Sequence, residues 1–227
     1  MNKDIFLNTF FFLTLIFMAS NCFAYSSTNY SDCVRGNNTM KSTEREVPRF
    51  DVLDLSGAFT VNVVAGELKQ NIKITADENL LPLIATNSQG NRLSIYPKKS
   101  ICTENEITID ISVTTFKALV SSGSDDIKVS GINNSSFSVL QEGAGDIELA
   151  GHSRTFDAEI SGSGDLQAQY LKSEKTTLNL TGSSDANVYA TETLEVHILG
   201  VAEVNYFGNP KKVIKDILGV GDLNKME

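Results

Sequence analysis

From Phe50 onward, most of this chain alternates apolar and polar residues with a period of two. Ile72, Ile74 and Ala76 follow this rule, as do Leu93 and Ile95, and then Ile107, Ile109, Ile111 and Val113. That spacing is what a β-strand with one buried face requires. Asp77 to Leu83 is the one stretch that reads as a short helical turn, started by an Asp cap and broken at Pro82. Beyond residue 118 the alternation is tied to a recurring glycine. Ser122-Gly123-Ser124-Asp125-Asp126-Ile127 returns as Glu142-Gly143-Ala144-Gly145-Asp146-Ile147 and Ser161-Gly162-Ser163-Gly164-Asp165-Leu166, and looser copies surround Gly182, Gly200 and Gly219. The lead glycines are 20, 19, 20, 18 and 19 positions apart. An early copy, Ser56-Gly57-Ala58, carries Thr60 where the later copies carry an acid.

A fixed period of this size signals stacked units, each burying its apolar face on its neighbours. Counting from each lead glycine, the even positions are apolar: Leu119, Val139, Ala158, Leu178 and Val196 stand four before it, and Ile127, Ile147, Leu166, Ala186, Val204 and Leu223 four after it. Even positions therefore share an interior, and the glycine bends the chain between two short strands. The pattern predicts an all-β fold, a single-stranded right-handed parallel β-helix with Gly-cornered coils of about 19–20 residues. The competing fold, a β-sandwich of hairpins, wants two-residue turns and a less regular period. Lys215 and Lys225 break the rule in the last unit, as charge on an exposed final edge would.

Three residues after each lead glycine stand Asp126, Asp146, Asp165, Asp185, Glu203 and Asp222. Odd positions point outward, so these acids form a column along one exterior edge and are the candidate ligand or cation site. Neighbouring like charges repel by about 0.9 kcal/mol per pair even at the dielectric of water. Two arrangements offset this. Each acid can accept backbone N–H groups of its own turn, or Ca²⁺ can sit between successive carboxylates, although Ca²⁺ wants six to eight oxygens. The two histidines, His152 and His197, lie 45 residues apart in no catalytic pattern. Arg154 with Asp146 and Asp165 imitates the groups of β-helix enzymes that cut acidic polysaccharides, but the acid column would repel such a substrate.

Composition narrows the picture further. The chain has 227 residues, 19 Lys plus Arg, 28 Asp plus Glu and a net charge of −9. An acidic surface without a basic stripe argues against nucleic acid. Residues 1–24 read as a signal peptide: Lys3, then a run from Phe10 to Ala19 interrupted only by Thr14, then Cys22-Phe23-Ala24 before the cut. An uncleaved anchor and lipidation at Cys22 are the alternatives. Residues 25–48 are polar and read as a flexible leader to a domain spanning 49–227. Export leaves Cys33 and Cys102, which are expected to pair in an oxidising compartment; two free thiols are the alternative.

Leu55-Ser56-Gly57-Ala58-Phe59, Asn91-Arg92-Leu93-Ser94-Ile95, the corners at Gly123, Gly162 and Gly219, and Val204-Asn205-Tyr206-Phe207-Gly208-Asn209-Pro210 together resemble the bacterial family of autotransporter-adhesin head GIN domains. The resemblance covers about residues 50–224 and implies a right-handed parallel β-helix on an exported bacterial protein, with no catalytic residues to carry over. It leads to an expectation of a non-enzymatic, adhesin-like or structural module of the cell envelope, in the periplasm, on the outer membrane surface or outside the cell. Its partner would be a glycan or a protein, with a homo-oligomer as a further option, no resident cofactor beyond the Ca²⁺ considered above, and no nucleic acid. The alternative is a carbohydrate-active β-helix enzyme using the acids on one face.

Overall fold

A computed structural model describes residues 32–227, and the chain from Cys33 to Glu227 forms one compact unit. The proposed signal peptide and Cys22 lie outside the described residues. The strands in order are β1 (Val34–Arg35), β2 (Met40–Arg45), β3 (Val52–Leu55), β4 (Thr60–Ala65), β5 (Asn71–Asp77), β6 (Ile84–Gln89), β7 (Arg92–Pro97) and β8 (Ile101–Cys102). They continue as β9 (Thr108–Val113), β10 (Ala118–Ser121), β11 (Asp126–Gln141), β12 (Ile147–Gly162), β13 (Leu166–Ser183), β14 (Ala186–Tyr189), β15 (Thr193–Phe207) and β16 (Lys212–Lys225). There is no α-helix among the described residues. A 3-10 turn, Leu81–Leu83, stands where the helical turn was expected; Leu80 caps it without a side-chain bond, and Pro82 lies inside it rather than ending it.

From β10 to β16 each coil lies on the one before in parallel register. Ile127 stands opposite Ile147, Ile147 opposite Leu166, Leu166 opposite Ala186 and Ala186 opposite Val204. This is the β-helix that the period implies. Its interior is a run of aliphatic rungs plus a short aromatic stack, Phe116–Phe137–Phe156, with ring centroids 5.5 and 6.3 Å apart. On the next rung Thr176 replaces phenylalanine, and its hydroxyl and that of Ser173 both donate to the Tyr189 carbonyl, at 2.7 and 2.5 Å.

The glycines are needed for stacking more than for bending. A Cβ on Gly143, Gly162, Gly182, Gly200 or Gly219 would lie under 3.0 Å from the carbonyl oxygen of the lead glycine one coil below. Gly182, Gly200 and Gly219, at φ 119°, 146° and 153°, add a backbone angle that side chains avoid, whereas Gly123 and Gly143 do not have a positive φ.

The start of the domain differs from a simple stack. β3 pairs in parallel with both β7 and β10, and β4 with both β9 and β11. The coil made by β7 and β9 therefore lies beneath the coil made by β3 and β4, although it follows it in sequence. Antiparallel strands finish this end: β6 on β7, and β5 on β9 with β2 outside it.

The flexible leader expected over 25–48 is corrected over its second half. β1 pairs with β8, and β2 pairs along its length with β5. Arg45 then locks β2 down, donating to the carbonyls of Ile84 and Leu81 at 2.6 and 2.8 Å; burial pulls its pKa down. Cys33 and Cys102 are joined in a disulfide with their Cα atoms 5.6 Å apart.

Candidate functional site

Each corner delivers its acid to the same exterior line, because parallel stacking in constant register repeats every outward position one rung higher. Asp126, Asp146, Asp165, Asp185, Glu203 and Asp222 are all exposed. Their offset is not supplied by their own turns. Asp126 Oδ1 accepts the backbone N–H of Asp146 at 3.1 Å, Asp146 Oδ1 that of Asp165 at 3.0 Å, and Asp165 Oδ1 that of Asp185 at 3.2 Å. Asp185 Oδ1 accepts the N–H of Glu203 at 2.8 Å. Four of the six carboxylates are thus bonded to the backbone of the next coil, and charge-assisted bonds of this kind are stronger than neutral ones.

A Ca²⁺ ion takes six to eight oxygens. Each rung offers one carboxylate, with one oxygen already engaged in most of them, and the described residues contain no group of three or more His, Cys, Asp or Glu able to hold a metal.

A second column runs beside the acids, five residues after each lead glycine, and the sequence reading passed over it. Gln167, Asn187, Asn205 and Asn224 stand opposite one another on successive rungs. Asn187 Nδ2 donates to Gln167 Oε1 at 2.8 Å, and Asn224 Nδ2 reaches across to Glu203 Oε1 at 3.1 Å. Lower on the same line Lys128 pairs with Glu148 at 3.0 Å. The signal was present at the constant offset of five, but amides on an exterior face look like ordinary solvated residues. Between the columns a shallow groove of about 320 Å³ is lined by Thr60, Asp126, Lys128, Asp146, Glu148 and Gln167.

Asp125, adjacent to the column in sequence, is not part of it. Its even position turns it inward, fully buried. It accepts the Phe59 N–H at 3.1 Å and the Ser121 hydroxyl at 2.9 Å. Burial raises its pKa, and these two bonds only partly oppose that. His197 lies beside Glu195 (3.0 Å) and Asp216 (3.9 Å), while His152 and Arg154 are exposed on β12.

Residues 49–210 match the family described as "Putative auto-transporter adhesin, head GIN domain". The chain belongs to this family. Among solved structures, this GIN domain is similar to one described as a putative adhesin from Bacteroides fragilis NCTC 9343, with a TM-score of 0.71, 18% identity, 85% of this chain and 100% of that chain covered. It is also similar to one described as a putative lipid binding protein from Parabacteroides distasonis ATCC 8503, with a TM-score of 0.52, 21% identity and coverage of 86% and 99%. A third, described as a putative adhesin from Parabacteroides merdae ATCC 43184, gives a TM-score of 0.50, 18% identity and coverage of 86% and 99%. At these identities the likeness concerns the fold. Among the curated proteins none matches this sequence.

Proposed function

We propose that this GIN domain is an exported, non-enzymatic binding module that presents its carboxylate–amide face to the hydroxyls of a neutral glycan at the cell surface. The observation that carries this reading is the pairing of two exterior columns in constant register. In the column each of four aspartates spends one oxygen on the next coil, and its second oxygen has no such duty. Carboxylates accept hydroxyl protons, and amides both donate and accept, so the two columns together suit groups that are donors and acceptors at once. Rungs about 4.8 Å apart offer a repeating polymer several equivalent contacts, and repeated weak contacts multiply. The adhesin descriptions of the family and of two structural neighbours support a binding role. The signal-like residues 1–24 support export to the periplasm, the outer membrane surface or the exterior.

The carbohydrate-active alternative needs an acid and a second carboxylate flanking a glycosidic bond. These acids stand in single file on one face, which suits binding better than cleavage. A glycan and protein array probed with the secreted chain tests the proposal. Neutral glycans are expected to bind, and the double variant Asp146→Asn with Asp165→Asn to weaken them by about tenfold, equivalent to ~1.4 kcal/mol. Asn keeps an oxygen for the next coil's N–H, so folding is retained. Release of shorter sugars by the wild type, lost in that variant, would instead establish the enzyme.

A further inference from the structure

We propose that the C-terminal end of the solenoid carries a second site, separate from the carboxylate–amide face, that takes a carboxylate-bearing sugar such as a uronic acid. Tyr189 and Phe207 stand opposite each other on β14 and β15, seven residues after their lead glycines and half-buried on the outside of the tube. The same offset from the lead glycine on earlier coils holds Ser130, Ala150 and Gln169, none of them aromatic, although the pairing shifts there and sets Ala150 opposite the exposed Tyr170. The two rings line an open groove of about 610 Å³, whose other walls include Lys172, Asn209, Lys225 and Glu227. That volume lies in the range of small-molecule sites, roughly 300–1,000 Å³.

The charges in this groove run against those of the molecule. The chain carries a net −9, yet two ammonium groups line one cleft. Lys172 Nζ rests 3.8 Å from the centroid of the Tyr189 ring, and Lys225 Nζ donates to Asn209 Oδ1 at 3.0 Å. Among the described residues neither has a carboxylate within 4.0 Å, a state they share with most of the other lysines. A π face and a neutral amide are weaker partners than a carboxylate, so an incoming anion outcompetes both. An aromatic floor suits the apolar C–H face of a pyranose, the lysines suit its carboxylate, and Asn209 suits a ring hydroxyl. Glu227 on the wall opposes the anion and limits the site to a ligand with one carboxylate rather than a dense polyanion.

The experiment is a titration of the full-length secreted protein with glucuronic acid, glucose and acetate, followed by NMR shifts and calorimetry. Glucuronate is expected to saturate in the millimolar range, with glucose and acetate at least about tenfold weaker because each supplies half of the chemistry. Lys172→Ala and Lys225→Gln, both at exposed side chains, should each weaken glucuronate about fivefold, and Glu227→Gln should tighten it. Asp146→Asn should leave it unchanged, which separates this site from the glycan face. Acetate binding as tightly as glucuronate, glucose binding as tightly as glucuronate, no saturation with any probe, or lysine variants that bind normally in a protein of unchanged near-UV circular dichroism would each overturn the proposal.

Discussion

Asp125 shows what a single residue can do inside a repeat. Where the other coils place Gly145, Gly164, Ser184 and Ala202, this coil encloses a carboxylate. Because its pKa is raised in the folded chain, its stabilising contribution is complete below the unfolded value and is lost as pH rises through the folded value. Asp125→Asn keeps an acceptor for Phe59 N–H, and its amide N–H can donate to the Ser121 hydroxyl, which turns from donor to acceptor, so its melting temperature should exceed that of the wild type at pH 7.5 and match it near pH 4. Asp51 works in the opposite sense. Burial alone would raise its pKa, but Lys117 (2.6 Å) and Asn91 (2.5 Å) more than reverse this, so its contribution is held above the unfolded pKa and lost as pH falls through the folded one. The acid column makes a third test at this scale. Since its oxygens are bonded to the next coil, millimolar Ca²⁺ and chelator should give superimposable melting curves; a rise with Ca²⁺ would reinstate the cation. Alternation placed Asp126 outward directly from the sequence; the inward, buried place of its neighbour Asp125 emerges only in the fold. The Phe59 N–H that donates to Asp125 is 66 residues away, and no local pattern announces such a partner.

At the scale of the coil, packing is a matter of what stands directly above and below. Phe137 lies between Phe116 and Phe156 in the aromatic stack and is fully buried. Phe137→Ala should cost about 3–5 kcal/mol in urea unfolding, through lost burial and the cavity left behind. Gly143→Ala should cost roughly 1–3 kcal/mol although it adds one methyl group, because that methyl meets the Gly123 carbonyl and the stack must part to admit it. The sequence reading gave these glycines to corner angles, and only the three-dimensional stack reveals the close approach. Alternation was legible wherever a strand has a buried face, as in β9 and β12. It failed for β2, whose Met40-Lys41-Ser42-Thr43-Glu44-Arg45 is polar after its first residue, because this strand pairs with β5 alone and covers little. A polar edge strand and a flexible tail have the same composition.

The whole molecule has two unlike ends. The first is closed by β2, β5, β6 and the disulfide, and at the other β16 is the last strand of the stack among the described residues. The bridge closes a separation of 69 residues, for which chain entropy sets a gain of about 4 kcal/mol. A Cys33→Ser, Cys102→Ser variant should therefore melt at a lower temperature, and hydrogen exchange should show β1 opening before any coil above it. The period revealed the tube but not the order of its first rungs. Residues 92–113 tuck beneath residues 52–65 through pairings that a linear repeat does not encode, since the strands of that lower coil carry no glycine-corner phrase of their own.

The bonding of one coil's carboxylate to the next coil's backbone makes no demand on the side chain above. A rung of this tube asks its successor only for an N–H at the right height and a glycine at the corner. Tube length is then a free variable of the architecture. Lys225 stands in register with Tyr206 and Val188, so a duplicate of residues 189–206 spliced directly after Lys225 should wind on as an additional storey without disturbing those beneath.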